Sequence, residues 1–247
     1  MDGIDLLVRI AVAFIICSII GLPAFRIRVV SLSGLLSGYI MGVGIIILGG
    51  WGAFAIILLF FILSGLATKF HYDKKKAKGI AEAKGGARGY KNVFGNGLFA
   101  LIVLFLELIY GGGAFIAAYL GAVAAATADT AGGEFGRLSK ADPWLITTFR
   151  RVPAGTDGGI SLLGKGAEVA ISLLIAIVAI AVGLSAADLP AWKIIITTTI
   201  GGVVGATVDS YLGATLESNV RWFSNNFTNF FCTVAGAVLA FLLFYLI

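Results

Sequence analysis

Charged side chains and glycines gather in one stretch of the chain, from Asp129 to Gly166. It contains four carboxylates, five basic side chains and eight glycines between two apolar segments. Carboxylate oxygens are suitable ligands for Mg²⁺, and lysine and arginine donate charge-assisted hydrogen bonds to phosphate oxygens. Such groups at the edge of an apolar segment therefore predict a site for Mg²⁺ and phosphate groups.

Asp129 belongs to a helical pattern. If one helix continues past it, the residues at i+3, i+4 and i+7 share its face, and these are Gly132, Gly133 and Gly136. A ligand or another helix can approach the backbone closely along such a face. Glycine strips are more often packing surfaces than ligand sites, but a packing surface does not need a charge. A later apolar segment repeats the pattern around Asp209.

Four acids are the candidate metal ligands: Asp129, Glu134, Asp157 and Asp209. A hard cation such as Mg²⁺ prefers oxygen ligands, and Asp129 and Asp157 are also the acids expected to be catalytic. Glu134 lies five residues after Asp129, so a regular helix would point it elsewhere. Joint binding of one metal by these two would require a break in the helix.

Phosphate contacts are expected from several loops. Arg150 and Arg151, the catalytic cations in this reading, precede a segment with Pro153 and glycines that cannot be a regular helix, and guanidinium groups bind phosphate bidentately. The residues expected to bind the phosphate-bearing ligand are Arg88, Lys91, Asn92, Asn96, Gly132, Gly133, Gly136, Gly155, Thr156, Gly158, Gly159, Asn225 and Asn226.

Other charged residues have two interpretations. Glu107 and Glu168 fall within or beside apolar segments, where a carboxylate is costly and usually faces a partner or a cavity; a purely structural hydrogen bond is the alternative. The lysines of 74–78 are typical of a loop that faces lipid headgroups.

Composition decides the class of fold that must position these residues. The chain has 247 residues, of which 59% are hydrophobic and 13% charged, and its mean hydropathy is +1.01. Several apolar runs approach the roughly 20 residues that cross a bilayer. They lie at about 4–22, 30–48, 51–69, 97–110, 113–128, 167–185, 194–216 and 227–247. We therefore expect an all-α polytopic integral membrane helical bundle, forming one domain over 1–247, with about eight transmembrane or partly re-entrant helices.

The basic residues predict an orientation. With eight crossings, the loops 23–29, 70–96, 129–166 and 217–226 share one side. Together with Lys69, which directly precedes the second loop, they hold all of the 18 lysines and arginines except Arg9 and Lys193. The positive-inside rule makes this side cytoplasmic. We expect a protein of the cell membrane with cytoplasmic loops 70–96 and 129–166 and both termini outside.

Cysteine and histidine are too scarce for several kinds of site. Cys17 and Cys232 lie in apolar segments, and His71 is the single histidine. This pattern argues against a zinc or haem centre and gives no support for a structural disulfide. Any metal is expected to be a hard ion bound by oxygen.

Five motifs in order resemble one membrane protein family. They are ARGYKNVFGNG at 87–97, ATADTAGGEFG at 126–136, ITTFRRVPAGTDGGISLLG at 146–164, VDSYLGATLE at 208–217 and NNFTNF at 225–230. They resemble the family of transmembrane protein 19 and plant phytyl-phosphate kinase, which is related to CTP-dependent polyprenol and dolichol kinases. The related Asp-x-x-Ala-x-x-x-Gly motif matches here at Asp129 and Gly136, with Gly132 in place of alanine.

The resemblance implies a helical membrane kinase. The expected reaction transfers a phosphoryl group from a nucleotide, CTP in this family, to an isoprenyl monophosphate such as geranylgeranyl or phytyl phosphate, with Mg²⁺. Its partners would be the lipid bilayer and these substrates, with no nucleic acid; a homodimer is left open. Two alternatives use similar features: a cytidylyltransferase that makes a CDP-lipid, and an ion-coupled transporter.

Overall fold

The computed structural model describes residues 3–82 and 86–247, and within them the chain is almost entirely helical. The α-helices are α1 (Gly3–Arg26), α2 (Leu32–Lys69), α3 (Tyr72–Ala77), α4 (Tyr90–Tyr110), α5 (Ala114–Gly136), α6 (Leu162–Ala181), α7 (Ala191–Leu212) and α8 (Asn225–Leu246). A π-helix, Gly213–Glu217, continues α7. Strands β1 (Trp144–Leu145) and β2 (Gly159–Ile160) pair antiparallel between α5 and α6. The expected all-α bundle is confirmed.

Seven helices of the described chain are long and apolar enough to cross a membrane. Large apolar side chains such as Leu7, Leu66 and Leu108 are exposed on the outside of the bundle, which suits contact with lipid tails. The protein is therefore an integral membrane protein with several spans. The kind of membrane and the direction of insertion stay predictions.

Helix α2 contains two of the apolar stretches found in the sequence. Between them, Gly50 has φ 72° and ψ −170°, which is not helical. A Cβ added to Gly42 would lie 3.4 Å from the Phe54 ring, whereas a straight helix would separate these residues by about 18 Å. The two halves of α2 therefore fold back on each other, and the seven long helices contain the eight expected stretches.

The two shortest apolar stretches become full-length helices. Helix α4 has 21 residues and α5 has 23, because α4 begins at the polar segment after Gly89 and α5 continues to Gly136. Both lengths suffice to cross the roughly 30 Å hydrocarbon layer. Each of the two stretches therefore belongs to a helix that is long enough for a full crossing.

Helix α5 forms the centre of the bundle. In its most apolar 18-residue window 78% of residues are buried, against 11% to 39% for the other spanning helices. Its small side chains let neighbours approach: a Cβ on Gly121 would lie 2.4 Å from the carbonyl oxygen of Gly236 in α8. Polar residues near the end of α5 are therefore surrounded by other elements.

The connections between helices separate into two ends of the bundle. At one end, which we call the loop end, Val30 bridges to Arg88, and Gly158 lies against Ser210. This end gathers the described parts of the four loops that the sequence placed on one side; Lys84 and Gly85 lie outside the described residues. At the opposite end, the far end, the connections are Gly50, Gly111–Gly113 and 182–190.

Candidate functional site

A cleft of about 250 Å³ opens at the loop end, and we call it the polar cleft. Its walls are the last turns of α5, α7 around Asp209, the first turns of α6 and α8, and the segments 86–88 and 154–160. The sequence-predicted residues that line it are Arg88, Asn92, Asp129, Gly132, Gly133, Glu134, Gly136, Gly155, Thr156, Asp157, Gly158, Gly159, Asp209 and Asn225. Residues far apart in sequence thus meet in one cleft.

Two aspartates meet at the base of this cleft. The carboxyl groups of Asp129 on α5 and Asp209 on α7 lie at hydrogen-bonding distance from each other. Asp209 is buried, and its Oδ2 has no hydrogen-bond partner within the described residues. Neither acid belongs to the ion pairs of the described chain. A buried carboxylate beside a second, half-buried one is costly when neither forms an ion pair, so this arrangement favours a bound cation.

The donor set suits Mg²⁺ better than a metal held by protein alone. Over residues 3–82 and 86–247, no three His, Cys, Asp or Glu side chains form a group that could hold an ion. Mg²⁺ is usually bound by one or two carboxylates together with water and substrate phosphates. The carboxylates of Asp129 and Asp209, including the Asp209 Oδ2 that has no hydrogen-bond partner in the described chain, fit that kind of site.

The glycine-containing segment 155–159 forms the opposite wall. A Cβ on Gly158, which has φ 75°, would lie 2.6 Å from the carbonyl oxygen of Ser210. Only glycine allows both this backbone conformation and this approach. The contact brings Asp157, which is exposed, beside the end of α7, where its Cβ would be 3.7 Å from a Cβ on Gly213.

Arg88 and Arg137 supply the positive charge of the cleft. Burial lowers the pKa of the Arg88 guanidinium, whereas the carboxylates of Glu82, Glu134 and Asp129 raise it; arginine stays protonated in proteins. Arg137 Nη1 lies 3.0 Å from Glu82 Oε1 and 3.6 Å from Glu134 Oε1. Both guanidinium groups line the cleft and can receive phosphate oxygens.

Lys75 holds Glu134 in a buried ion pair. Its Nζ donates to Glu134 Oε2 and to the carbonyl oxygens of Ala67 and Thr68, at 3.2 and 2.9 Å. Only 1% of Lys75 is exposed, so this residue does not share the headgroup-facing role expected of its neighbours. Glu134 is therefore engaged from one side by Lys75 and from the other by Arg137.

The two acids with alternative interpretations differ. Glu168 lines the polar cleft, and its Oε2 accepts from Lys165 at 2.8 Å. Glu107 lies near the far end, where its Oε1 accepts from the backbone N–H of Gly113 at 3.0 Å. That hydrogen bond gives Glu107 a structural role in the turn between α4 and α5.

Five of the predicted residues do not line the cleft: Lys91, Asn96, Arg150, Arg151 and Asn226. The two arginines lie in a tight turn after β1, where Arg151 stacks 3.8 Å from the Trp144 ring centroid and donates to the Asp142 carbonyl. Asn96 is buried and donates to the Asn92 carbonyl at 2.9 Å. Lys91 is exposed, and the backbone of Asn226 packs against Gly95.

The structure adds residues that sequence reasoning missed. The most informative are Glu82, Arg137, Ser161, Ser210 and Asn229. Asn229 follows the predicted Asn225 by four residues, so helical periodicity was a signal that could have placed it on the same face. Ser161 caps α6, accepting from Gly164 N at 3.1 Å. Glu82 and Arg137 had no such signal, because their contact joins two separate loops.

Comparison with known proteins gives one family. The family described as Integral membrane protein DUF92 matches residues 15–237. An uncharacterised membrane protein of Methanocaldococcus jannaschii is 33% identical over 99% of this chain and 98% of its own length. Protein PGR of Arabidopsis thaliana is 29% identical over 85% of this chain and 79% of its own.

A more distant plant relative also matches. The chloroplastic protein VTE6 of Arabidopsis thaliana is 26% identical over 86% of this chain and 65% of its own length. No solved structure matches the chain. The family match, over residues 15–237, includes every wall of the polar cleft.

Proposed function

The chain belongs to the DUF92 family of integral membrane proteins, and on that premise we propose that it is a kinase for isoprenyl phosphates. It transfers the terminal phosphoryl group of a nucleotide, CTP in the first instance, to an isoprenyl monophosphate such as geranylgeranyl or phytyl phosphate. The product is the isoprenyl diphosphate. The resemblance of the five motifs to the phytyl-phosphate kinase family supports this reaction class.

The observation that carries the proposal is the aspartate pair. Asp129 and Asp209 are held together by α5 and α7, and both face a cleft that also contains two arginines. Phosphoryl transfer depends mainly on positioning and on neutralising charge. A pair of carboxylates for a divalent ion, with cations for phosphate oxygens beside it, provides both.

The transfer step needs little proton chemistry. An oxygen of the isoprenyl monophosphate attacks the terminal phosphorus, a new P–O bond forms, and the bond from that phosphorus to the bridging oxygen breaks. The electron pair of the broken bond goes to the departing nucleoside diphosphate. Because the acceptor is already anionic, no strong general base is required, which suits a cleft without histidine among its lining residues.

Each wall of the cleft has a proposed part. Asp129 and Asp209 would hold Mg²⁺, with Asp157 reaching in from segment 155–159; Mg²⁺, when bound, would neutralise charge on the transferring phosphate. Arg88 and Arg137 bind phosphate oxygens. Glu134, engaged by Lys75, holds Arg137 in place. Arg150 and Arg151 would contribute only from outside the cleft as it stands.

We also propose that the loop end faces the cytoplasm, where nucleotides are available. The cationic side chains of the described loops gather at this end, and the positive-inside rule orients such an end inwards. Cysteine substitutions at exposed positions test this: Lys76→Cys should react with an impermeant maleimide only after cell lysis, whereas Asp188→Cys should react in intact cells. The reverse labelling pattern would contradict this orientation and place the loop end outside the cell.

A direct transfer assay tests the reaction. Detergent-purified protein is mixed with Mg²⁺, CTP labelled at the terminal phosphate and geranylgeranyl or phytyl phosphate, beside the Asp129→Asn variant. We expect label in the isoprenyl diphosphate, lost in the variant and lost when EDTA removes Mg²⁺. Asp188→Asn, at the far end, is the control and should keep full activity.

The products separate the proposal from its rivals. If no nucleotide labels the acceptor while the protein remains helical and monodisperse, the kinase proposal fails. Release of pyrophosphate together with a CDP-lipid would instead identify a cytidylyltransferase. Cation-driven uptake into proteoliposomes without any nucleotide turnover would identify a transporter.

A further inference from the structure

A second cavity, of about 140 Å³, lies next to the polar cleft. It is enclosed by α1, both halves of α2 and α4, and its lining is mainly apolar side chains and glycines, including Cys17, Gly38, Phe54, Ile57, Phe61 and Val93. We call it the apolar groove. Nothing in the proposed chemistry of the aspartate pair uses it.

One face of α2 leaves this space open. Gly34, Gly38 and Gly42 follow each other at intervals of four, so they line up along the helix. A Cβ on Gly34 would lie 2.2 Å from the carbonyl oxygen of Arg88, and one on Gly42 would lie 2.7 Å from Cys17 Sγ. A Cβ on Gly38 would meet nothing within 4 Å. The groove is thus packed at both ends and open between them, over about 12 Å.

Arg88 joins the apolar groove to the polar cleft. Arg88 and Asn92 line both cavities. The guanidinium carbon is 5.6 Å from the Phe60 ring centroid, and Nη1 donates to Asn92 Oδ1 at 3.3 Å. Within the described chain no carboxylate lies within 4.0 Å of this guanidinium. A half-buried cation that forms no ion pair remains available to an anionic ligand.

From this arrangement we infer that the apolar groove binds the hydrocarbon chain of a lipid monophosphate whose phosphate is held by Arg88 and Asn92. The inference rests on the proposed function and locates its acceptor: the isoprenyl chain lies among α1, α2 and α4, and its phosphate enters the polar cleft. The occupant matches the groove in both respects, because an apolar chain needs an apolar space and its phosphate needs the cation at the junction.

Gly38 allows the groove to be filled without disturbing the fold. Gly38→Leu places a side chain in open space, and leucine is a better helix former than glycine. Gly65→Leu is the matched control, since Gly65 lies in the other half of α2, also has nothing within 4 Å, and is not part of the groove. Arg88→Gln removes the cation and keeps a polar side chain.

Binding is measured without nucleotide, as equilibrium binding of radiolabelled geranylgeranyl phosphate to the detergent-purified protein. Gly38→Leu should raise Kd about tenfold or more, as expected when about two methylene groups lose their apolar contacts. Gly65→Leu should bind as wild type does. Arg88→Gln should also weaken binding, and unlabelled geranylgeraniol, which has no phosphate, should compete poorly.

The outcomes separate the groove from the proposed function. If Gly38→Leu binds geranylgeranyl phosphate as tightly as wild type, the groove assignment is overturned even if transfer proceeds. If Gly38→Leu loses binding and no transfer is found, the groove stands and the kinase proposal falls. If the wild-type protein does not bind geranylgeranyl phosphate, the groove assignment is overturned. If dioleoyl phosphatidic acid competes as well as the isoprenyl phosphate does, the proposal that the groove holds a single hydrocarbon chain is overturned.

Chain length gives a second readout when transfer is active. Gly38→Leu should raise KM for geranylgeranyl phosphate while leaving KM for isopentenyl phosphate near its wild-type value, because the short chain does not reach past the phosphate site. An equal rise for both acceptors would place the effect at the phosphate and overturn the groove assignment.

Discussion

Helices α5 and α7 carry the same pattern, an aspartate among glycines, and use it differently. On α7 the glycines pack: a Cβ on Gly205 would lie 2.4 Å from the Cβ of Ala125 and 2.8 Å from the Cys232 carbonyl oxygen. On α5, Gly133 is exposed to the polar cleft and a Cβ there would meet nothing within 4 Å. Its neighbour Gly132 is packed, with an added Cβ 2.7 Å from Glu168, so the difference between the helices lies at Gly133, where the backbone is open to the cleft.

The order of residues explains the difference. Both helices run from the far end to the loop end. On α7, Gly202 and Gly205 come before Asp209 and so lie deeper in the bundle, whereas on α5 the glycines follow Asp129 and reach the cleft. A glycine strip is therefore interpretable only together with its position along the helix, before or after the aspartate.

The largest expected effect concerns how the open end of α5 is held. Both helices are closely packed over most of their length, but near the open end of α5 the buried pair Lys75–Glu134 joins the helix to α3. Lys75→Met should lower the free energy of unfolding in detergent by up to about 3–5 kcal/mol, because the buried Glu134 carboxylate loses its closest partner and keeps only Arg137, at 3.6 Å. The neighbouring exposed Lys76→Met is the control, and equal stability of the two variants would contradict this account.

The aspartates give the next effect, on activity. Asp209→Asn should lower kcat/KM for phosphoryl transfer at least about 100-fold, beyond the 10- to 100-fold typical of residues that only support metal ligands. Its stability should not fall, since a buried charge without a cationic partner is removed. Full activity in Asp209→Asn would assign α7 to packing alone and leave Asp129 as the single functional acid of the pair.

Gly205→Ala tests the packed side of the comparison. The added methyl group must displace Ala125 or the α8 backbone, so we expect a loss of about 1–3 kcal/mol in the free energy of unfolding. Thermal unfolding of the purified variant, followed by circular dichroism, measures it. A variant as stable as wild type would mean that α7 and α5 separate more easily than their contact distances indicate.

Gly133→Ala, the same substitution on α5, should have the smallest effect and the opposite sign. With no neighbour to displace, alanine should stabilise the helix by roughly 0.5–1 kcal/mol. The same methyl group narrows the cleft, so KM for the nucleotide should rise modestly while the control Gly166→Ala leaves it unchanged. If Gly133→Ala lowered the free energy of unfolding as Gly205→Ala is expected to do, the contrast between open space at Gly133 and close packing at Gly205 would be contradicted.

Local sequence signals predicted much of this molecule. Hydrophobic runs located the membrane segments, and helical spacing put Asp129 and its glycines on one face, as the structure has them. Lys75 was assigned with its lysine neighbours because its burial depends on Glu134, 59 residues away. Arg151 was predicted to bind phosphate, and the structure places it outside the cleft, stacked on Trp144. Contacts between separate loops leave no periodic signal in the sequence. The contacts of this kind were therefore not predicted.

The fold at Gly50 has a consequence for how the chain enters a membrane. Because the two halves of α2 turn at a single residue, they can be inserted together as a hairpin with no loop to carry across. The other far-end connections, Gly111–Gly113 and 182–190, contain one charged residue, Asp188. With the loop end in the cytoplasm, as proposed above, insertion would translocate few charged side chains at the far-end connections, and the polar segments that build the cleft would stay on the ribosome's side of the membrane.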